Sequence, residues 1–429
     1  MLRGVVAETG SATGGTGGVL VSATSETGVR RGPGYPADPS PLPSGYGTWL
    51  QTARDGFRDA FRSPVPVYVA AHGLMLDLGL WIMNHNGTSP LKGLGAWDGG
   101  WYEAVAKTGY EHTMVLDAHG LPQQMGIAYF PLLPMSMRYL SAMTGMSVVA
   151  SGILISALAS LVAAAGIHKL MSPYLGSRTA LIVVALWGTV PPAFVQSAVY
   201  TESLFTAFSA WALVALVRRN WLSAAVLTVG AGLSRSTAVL MIGIVCLSAL
   251  IDVLRRRDWR NWRPAAAVLI APMGFLGYML FLKIRLGRWD AWSLAEKAPG
   301  WDNGFDFGRW LAGNLEVALS GDQYNDFGFA IATSMILGSA VALIFLLGER
   351  RLPWQVFGWA VAGALFTLMT KGDYSTKGRY FMPFFPLLVP FASRLRGARN
   401  SSVLIAVGVA AVAGAWYGAY FFMRLGPPP

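Results

Sequence analysis

From residue 64 onward the chain alternates long apolar runs with short polar connectors. Eleven runs reach or approach the roughly 20 apolar residues that a helix needs to cross a hydrocarbon core. They are about 64–84, 146–170, 179–199, 203–217, 220–235, 237–254, 264–286, 327–348, 353–370, 379–393 and 401–423. The pattern predicts an all-α integral membrane protein, a polytopic bundle of about eleven transmembrane helices. Residues 126–143 are also apolar, but they carry Pro131, Pro134 and Arg138. Counting them as a span would reverse the basic connectors downstream, so a re-entrant or interfacial segment is expected there. Residues 1–62 lack such runs and are rich in Gly, Ser, Thr and Pro, the composition of a disordered tail. The expected division is a cytoplasmic tail, 1–62, and a membrane domain, 63–429.

Composition supports the membrane reading. Hydrophobic residues make up 54% and charged residues 13%, with a mean hydropathy of +0.45. Soluble domains carry roughly 25% charged residues. The single cysteine, Cys246, excludes an internal disulfide. A net charge of +11 fits basic cytoplasmic connectors facing anionic lipid better than a nucleic-acid partner. Arg218-Arg219, Arg255-Arg256-Arg257, Arg350-Arg351 and Arg394 with Arg396 and Arg399 then lie inside. The outer side receives two large loops, about 85–145 and 287–326, which hold most of the carboxylates. Chemistry is expected on that extracytoplasmic face of a multi-pass cell-membrane protein.

The first outer loop contains Trp97-Asp98-Gly99-Gly100-Trp101-Tyr102-Glu103. In a helix starting near Asp98, Asp98 lies one turn from Tyr102, and Trp97 one turn from Trp101. Asp98 is a candidate base beside a ring-shaped substrate. It is also placed to be a helix N-cap that accepts the amide hydrogen of Gly100 or Trp101. Further along, Arg138 can bind a lipid phosphate or snorkel to the interface. Glu202, between two apolar runs, is either a functional acid or part of a helix start. Arg235 is a phosphate ligand or an ion-pair partner. In Lys371-Gly372-Asp373-Tyr374-Ser375-Thr376-Lys377-Gly378-Arg379-Tyr380, three cations enter an outer loop. Arg379 there can grip a phosphate with two parallel bonds, or the segment is simply a charged turn.

These motifs, in this order, resemble the PIG-V family of mannosyltransferases, which includes eukaryotic GPI mannosyltransferase II and bacterial relatives. The matching pieces are Trp97-Asp98 with Trp101-Tyr102 and Gly109-Tyr110, Tyr129-Phe130-Pro131-Leu132-Leu133-Pro134, Tyr200-Thr201-Glu202-Ser203-Leu204-Phe205, Ser234-Arg235-Ser236, and Gly378-Arg379-Tyr380-Phe381 with Pro383 and Pro386. The resemblance implies a GT-C fold with its active site at the extracytoplasmic face. It implies a polyprenyl-phosphate sugar donor, usually the mannose form, and a lipid-linked or cell-envelope glycan acceptor. It makes Asp98 the base, with Glu103 as competitor, and Arg379 the holder of the leaving phosphate. Arg235, Lys371 and Arg138 are reserve cations, Trp97, Trp101 and Tyr102 stack on sugar or isoprene, and Glu202 and Tyr380 complete the binding set. Gly99-Gly100 depart from the bulkier residues expected at that point.

No metal site is expected. The five histidines show no tight spacing, and the acids Asp302, Asp306, Asp322 and Asp326 lack a calcium-loop pattern. The rival class is a transporter or lipid flippase, with Asp77 and Glu202 lining a path.

Overall fold

The computed structural model describes residues 62–424 except 115, 258–259 and 321–326. Residues 1–61 of the tail, and both Asp322 and Asp326, lie outside the described residues.

Each of the eleven apolar runs contains helix, and the molecule is a polytopic helical membrane protein. The runs are not equivalent, however. Among the described residues, Pro64–His85, Val148–Leu175, Ala238–Arg256, Arg263–Leu286, Gly328–Leu347 and Asn400–Met423 are long and apolar enough to cross a membrane. Ser177–Trp187 and Pro191–Ser197 together make a seventh, bent by 81°. Glu202–Val217, Trp221–Gly232, Trp354–Met369 and Phe385–Leu395 are shorter apolar helices. The stretch 126–143 forms a 3-10 turn, Gly126–Ala128, and a helix, Leu132–Thr144. At 13 residues that helix is too short to cross. Among the described residues the only strands are a two-residue antiparallel pairing of Gly304–Phe305 with Thr370–Lys371, beside an isolated bridge of Leu116 with Pro122.

The bend is set by Pro191-Pro192. Proline has no amide hydrogen to continue the ladder, and its ring clashes with the preceding turn. The carbonyls freed at the break find side-chain donors. Gln196 Nε2 donates to the Trp187 carbonyl at 2.8 Å. His72 Nδ1 donates to the Gly188 carbonyl at 2.8 Å, while its Nε2 meets Ser197 Oγ at 2.7 Å. Broken backbone at membrane depth needs such partners, because lipid supplies none.

Two further features frame the site. Val148–Leu175 packs along Glu202–Val217, and Asn400–Met423 packs along Pro64–His85 and Pro191–Ser197. The first of these uses a face of small buried residues, among them Ser151, Gly152, Ser156, Ala159 and Ala163. Small faces let helix backbones approach closely in lipid. A Cβ on Gly79 or on Gly418 would come within 2.2 Å of the Phe194 ring. These two glycines therefore let the opening and closing helices clamp the bend from both sides.

Candidate active site

The cavity of interest lies where Glu202–Val217 and Ala238–Arg256 begin and Asn400–Met423 ends. Its volume is about 890 Å³, within the roughly 300–1,000 Å³ range of small-molecule sites.

Asp98 reaches this cavity through a strained turn. Trp97 has φ 58° and ψ −121°, a region that glycine tolerates and side chains resist. The helix Asp98–Thr108 starts immediately afterwards, without a side-chain cap. Asp98 is therefore the first helical residue rather than the N-cap, and its carboxylate is turned to another partner. Gly99 explains the departure noted in the motif: a Cβ there would lie 3.3 Å from that of Val199, whose amide donates to the Leu94 carbonyl at 2.9 Å. A bulkier residue would push the helix off this strand of backbone. Glu202 likewise opens its helix, Glu202–Val217. Both carboxylates thus sit at positive helix N-termini, where negative charge is stabilised.

Arg379 comes from a four-residue helical turn, Lys377–Tyr380. Indole and phenol donors fix its neighbourhood. Trp187 Nε1 donates to the Met382 carbonyl at 3.0 Å, Trp359 Nε1 to the Pro383 carbonyl at 2.9 Å, and Tyr417 OH to the Ser375 carbonyl at 3.0 Å. Lys377 is buried and donates to the Thr370 carbonyl and hydroxyl. Burial between Trp310 and Tyr380 pulls its pKa down to about 8, against the opposing charges of Asp306 and Asp373.

Four charged groups converge. Arg379 Nη1 donates to Asp98 Oδ2 at 2.6 Å and lies 3.7 Å from Glu202 Oε1. Arg235 Nη1 pairs with the same Glu202 oxygen at 2.8 Å and donates to Thr201 Oγ1 at 3.1 Å. That hydroxyl meets Tyr102 OH at 3.3 Å. The Arg379 guanidinium stacks over Tyr200 and Tyr380, 5.0 and 5.1 Å from the ring centres. Glu202 is only 1% exposed, whereas Asp98 is 27% and Arg235 18% exposed. Glu202 is thus the buried counter-charge for two guanidiniums, and Asp98 the acid that a ligand can reach. Two cations next to an accessible carboxylate can hold an anionic leaving group beside a base. Among the described residues no group of three or more His, Cys, Asp or Glu could hold a metal ion.

No protein-family model and no curated protein matches this chain. Among solved structures it is similar to ArnT from Cupriavidus metallidurans bound to undecaprenyl phosphate. The identity is 13% over 86% of this chain and 76% of that one, with a TM-score of 0.49. It is also similar to the Archaeoglobus fulgidus oligosaccharyltransferase in complex with Zn and sulfate, at 12% identity over 85% of this chain, with a TM-score of 0.48. The chain spans 54% of that archaeal protein. Likenesses this loose leave function to be read from the site.

Trp97, Asp98, Trp101, Tyr102, Arg235, Arg379 and Tyr380 all line the cavity, and Glu202 supports it from behind. Trp97 forms the rim: it is 43% exposed, and its indole donates to the Phe421 carbonyl at 3.3 Å. Three expected residues are elsewhere. Glu103 pairs with Lys107 at 2.6 Å on the outer side of its helix. It lies five residues, about 140° of helical turn, from Asp98, so both cannot face one cavity. Arg138 is neither a phosphate ligand nor a free interfacial cation. Its Nε and Nη2 donate to the carbonyls of Ala106 and Lys107 at 2.6 and 3.0 Å, closing the end of the Asp98 helix. Lys371 is bound to Asp302 at 2.6 Å in the two-residue pairing, outside the cavity lining. Arg235 is an ion-pair partner of Glu202 and also lines the cavity.

The cavity also has residues that sequence reasoning passed over: Glu296, Trp301 and Asn303 from the loop 287–326, and Tyr417 and Tyr420 from the helix Asn400–Met423. The i, i+3 spacing of those tyrosines was visible near the end of an apolar run. Glu296, in a polar loop, gave no comparable signal.

Proposed function

We propose that this protein is a GT-C-type glycosyltransferase. It moves a sugar, mannose by the PIG-V resemblance, from a polyprenyl-phosphate donor to a glycan or glycolipid acceptor at the extracytoplasmic face. The observation that carries this reading is the accessible Asp98 carboxylate bound directly to Arg379, with Arg235 and Glu202 behind them, inside a cavity of substrate size.

The chemistry follows from the pairing. The donor phosphate takes Arg379 and Arg235, whose forked donors match phosphate oxygens. Asp98 then loses its resting partner and becomes a stronger hydrogen-bond acceptor for an acceptor hydroxyl. The hydroxyl oxygen attacks C1 of the sugar as its proton passes to Asp98. The bond from C1 to the phosphate oxygen breaks, and the electron pair leaves with the polyprenyl phosphate. Attack from the face opposite the leaving group inverts C1. A phosphate leaving group needs cations rather than an acid, and the two arginines supply them. Glu202 holds both guanidiniums in place when the lipid departs.

The test is transfer of radiolabelled mannose from polyprenyl-phosphate mannose in membranes containing the wild-type protein or Asp98→Asn. Label incorporation that depends on Asp98 supports the proposal. Transbilayer movement of the lipid without transfer would point to the flippase class instead. Asp77, which that class would place on a path with Glu202, is exposed on the outside of Pro64–His85 and does not line the cavity.

A further inference from the structure

The cavity has a second wall of different chemistry. Trp101 and Tyr129 lie nearly parallel, with ring centres 6.0 Å apart. Trp301 meets both edge-on, at 5.4 and 5.7 Å. Beside these rings sits Glu296, whose Oε2 accepts from Asn303 Nδ2 at 2.7 Å. Glu296 and Asn303 both line the cavity.

This wall is built, not incidental. The loop closes on itself through the Asn303 amide, which donates to the Glu296 carbonyl at 2.8 Å. Gln124 Nε2 holds the Pro299 carbonyl at 3.1 Å. Gly304–Phe305 then pairs with Thr370–Lys371, directly ahead of the Arg379 turn. Gly372, at φ 147°, is needed here: a Cβ would lie 2.3 Å from Asn303 Oδ1. The Lys371–Asp302 ion pair is a strut of the same joint. The loop carrying Glu296 and the segment carrying Arg379 are therefore fixed to each other.

We propose that Glu296, Asn303 and the rings of Trp101, Tyr129 and Trp301 form a pyranose subsite, in which a sugar ring lies on the aromatic wall and donates a hydroxyl hydrogen to Glu296. The proposal rests on the glycosyl-transfer reading of this cavity and states where its sugar sits. A sugar presents an apolar C–H face and a rim of hydroxyls, which this wall matches with rings and with a carboxylate beside an amide. An isoprene tail in the same place would exclude water from the Glu296 carboxyl and offer it no further hydrogen-bond donor, which is costly. Burial, with the charge of Asp98 adding to it, pushes the pKa of Glu296 up to about 7, although the Asn303 hydrogen bond and Arg235 oppose the shift. An accepting carboxylate must first lose its proton, so sugar affinity should rise with pH through about 7.

The experiment uses the full chain in lipid nanodiscs and three probes: a short polyprenyl phosphate, the same lipid phosphate carrying mannose, and methyl α-mannopyranoside with the bare lipid phosphate present. Dissociation constants are measured between pH 6 and 8. We expect Glu296→Gln and Trp301→Ala to keep the affinity for bare polyprenyl phosphate. Each should lose about tenfold in the added affinity due to sugar, and Glu296→Gln should lose the pH dependence. Glu296→Gln retains an oxygen for Asn303, so a merely structural role would leave both sugar readouts in place. Loss in the mannosyl lipid assigns the subsite to the donor, and loss in the methyl glycoside assigns it to the acceptor. An unchanged sugar increment in both variants overturns the subsite, even where Arg379-dependent phosphate binding upholds the transferase. Glycoside binding through Glu296 without any binding of polyprenyl phosphate would uphold the subsite and overturn the transferase. No sugar binding by the wild type overturns the subsite.

Discussion

The helices that lead away from the cavity carry a charged cluster at each end. At the cavity end, Glu202 and Arg235 join Asp98 and Arg379. At the far end, Arg219 and Arg256 both pair with Asp252. Glu202–Val217 has 16 residues, so about 24 Å of helix separates the two clusters. The far cluster joins two segments around a buried acid, and its cations are open: Arg219 is 40% and Arg256 61% exposed, Asp252 8%. None of its members lines the cavity. The near cluster draws its members from four distant segments and leaves Asp98 within reach of a ligand. An ion pair alone is therefore a clamp. It becomes chemistry where a ligand can compete for one partner while a buried acid, here Glu202, keeps the cations in place.

The comparison breaks most readily at the two acids. Asp98→Asn should lower transfer about 10²–10⁴-fold, the usual loss for a general base. Asp252→Asn should leave transfer per folded molecule unchanged. Equal losses in the two, measured as initial rates normalised to protein, would remove the distinction between the ends. The next effect concerns the arginines. Arg379→Lys keeps the charge but loses the fork, and affinity for polyprenyl phosphate should fall about 10–100-fold, as for loss of one or two charge-assisted bonds. Arg219→Lys should not change that affinity in the same titration.

A smaller effect tests the strained turn. Trp97→Ala keeps a Cβ at φ 58°, whereas Trp97→Gly relieves it. Thermal melts should show the glycine variant to be the more stable of the two by about 1 kcal/mol. Equal stability would mean that the Trp97 backbone is unstrained. The smallest effect is that of Glu103→Gln. An exposed i, i+4 pair contributes about 0.3–0.5 kcal/mol, so stability should change little and transfer not at all. A loss matching that of Asp98→Asn would move the base assignment to Glu103.

The sequence carried the helical character well, because apolar runs report burial in lipid directly. It carried the quartet for a related reason: charges next to apolar helices stand out, as Glu202, Arg235 and Arg379 do. Where side chains point was less legible. Glu103 adjoins Tyr102 in sequence but faces another way, and Arg138 is used up on backbone carbonyls that no spacing rule reveals. Run length was less legible than run position, because the break at Pro191-Pro192 divides one apolar run into two helices bent by 81°. Glu296, Trp301 and Asn303 were invisible for a different reason. An acid, a tryptophan and an amide are ordinary in a polar loop, and only the pairing of Gly304–Phe305 with Thr370–Lys371 brings them to the Arg379 segment.

Asp98 and Arg379 stand 281 positions apart in the chain. At about 5–20 residues per second, roughly 14–56 s of synthesis separate the two. During that time the Asp98 carboxylate lacks its direct ion-pair partner, while Glu202 meets Arg235 soon after it is made. The order of emergence therefore leaves the Asp98–Arg379 pair unmade in every chain that has not yet reached residue 379. A nascent protein already threaded into the membrane completes its charged quartet only when the Arg379 turn has been inserted and docked.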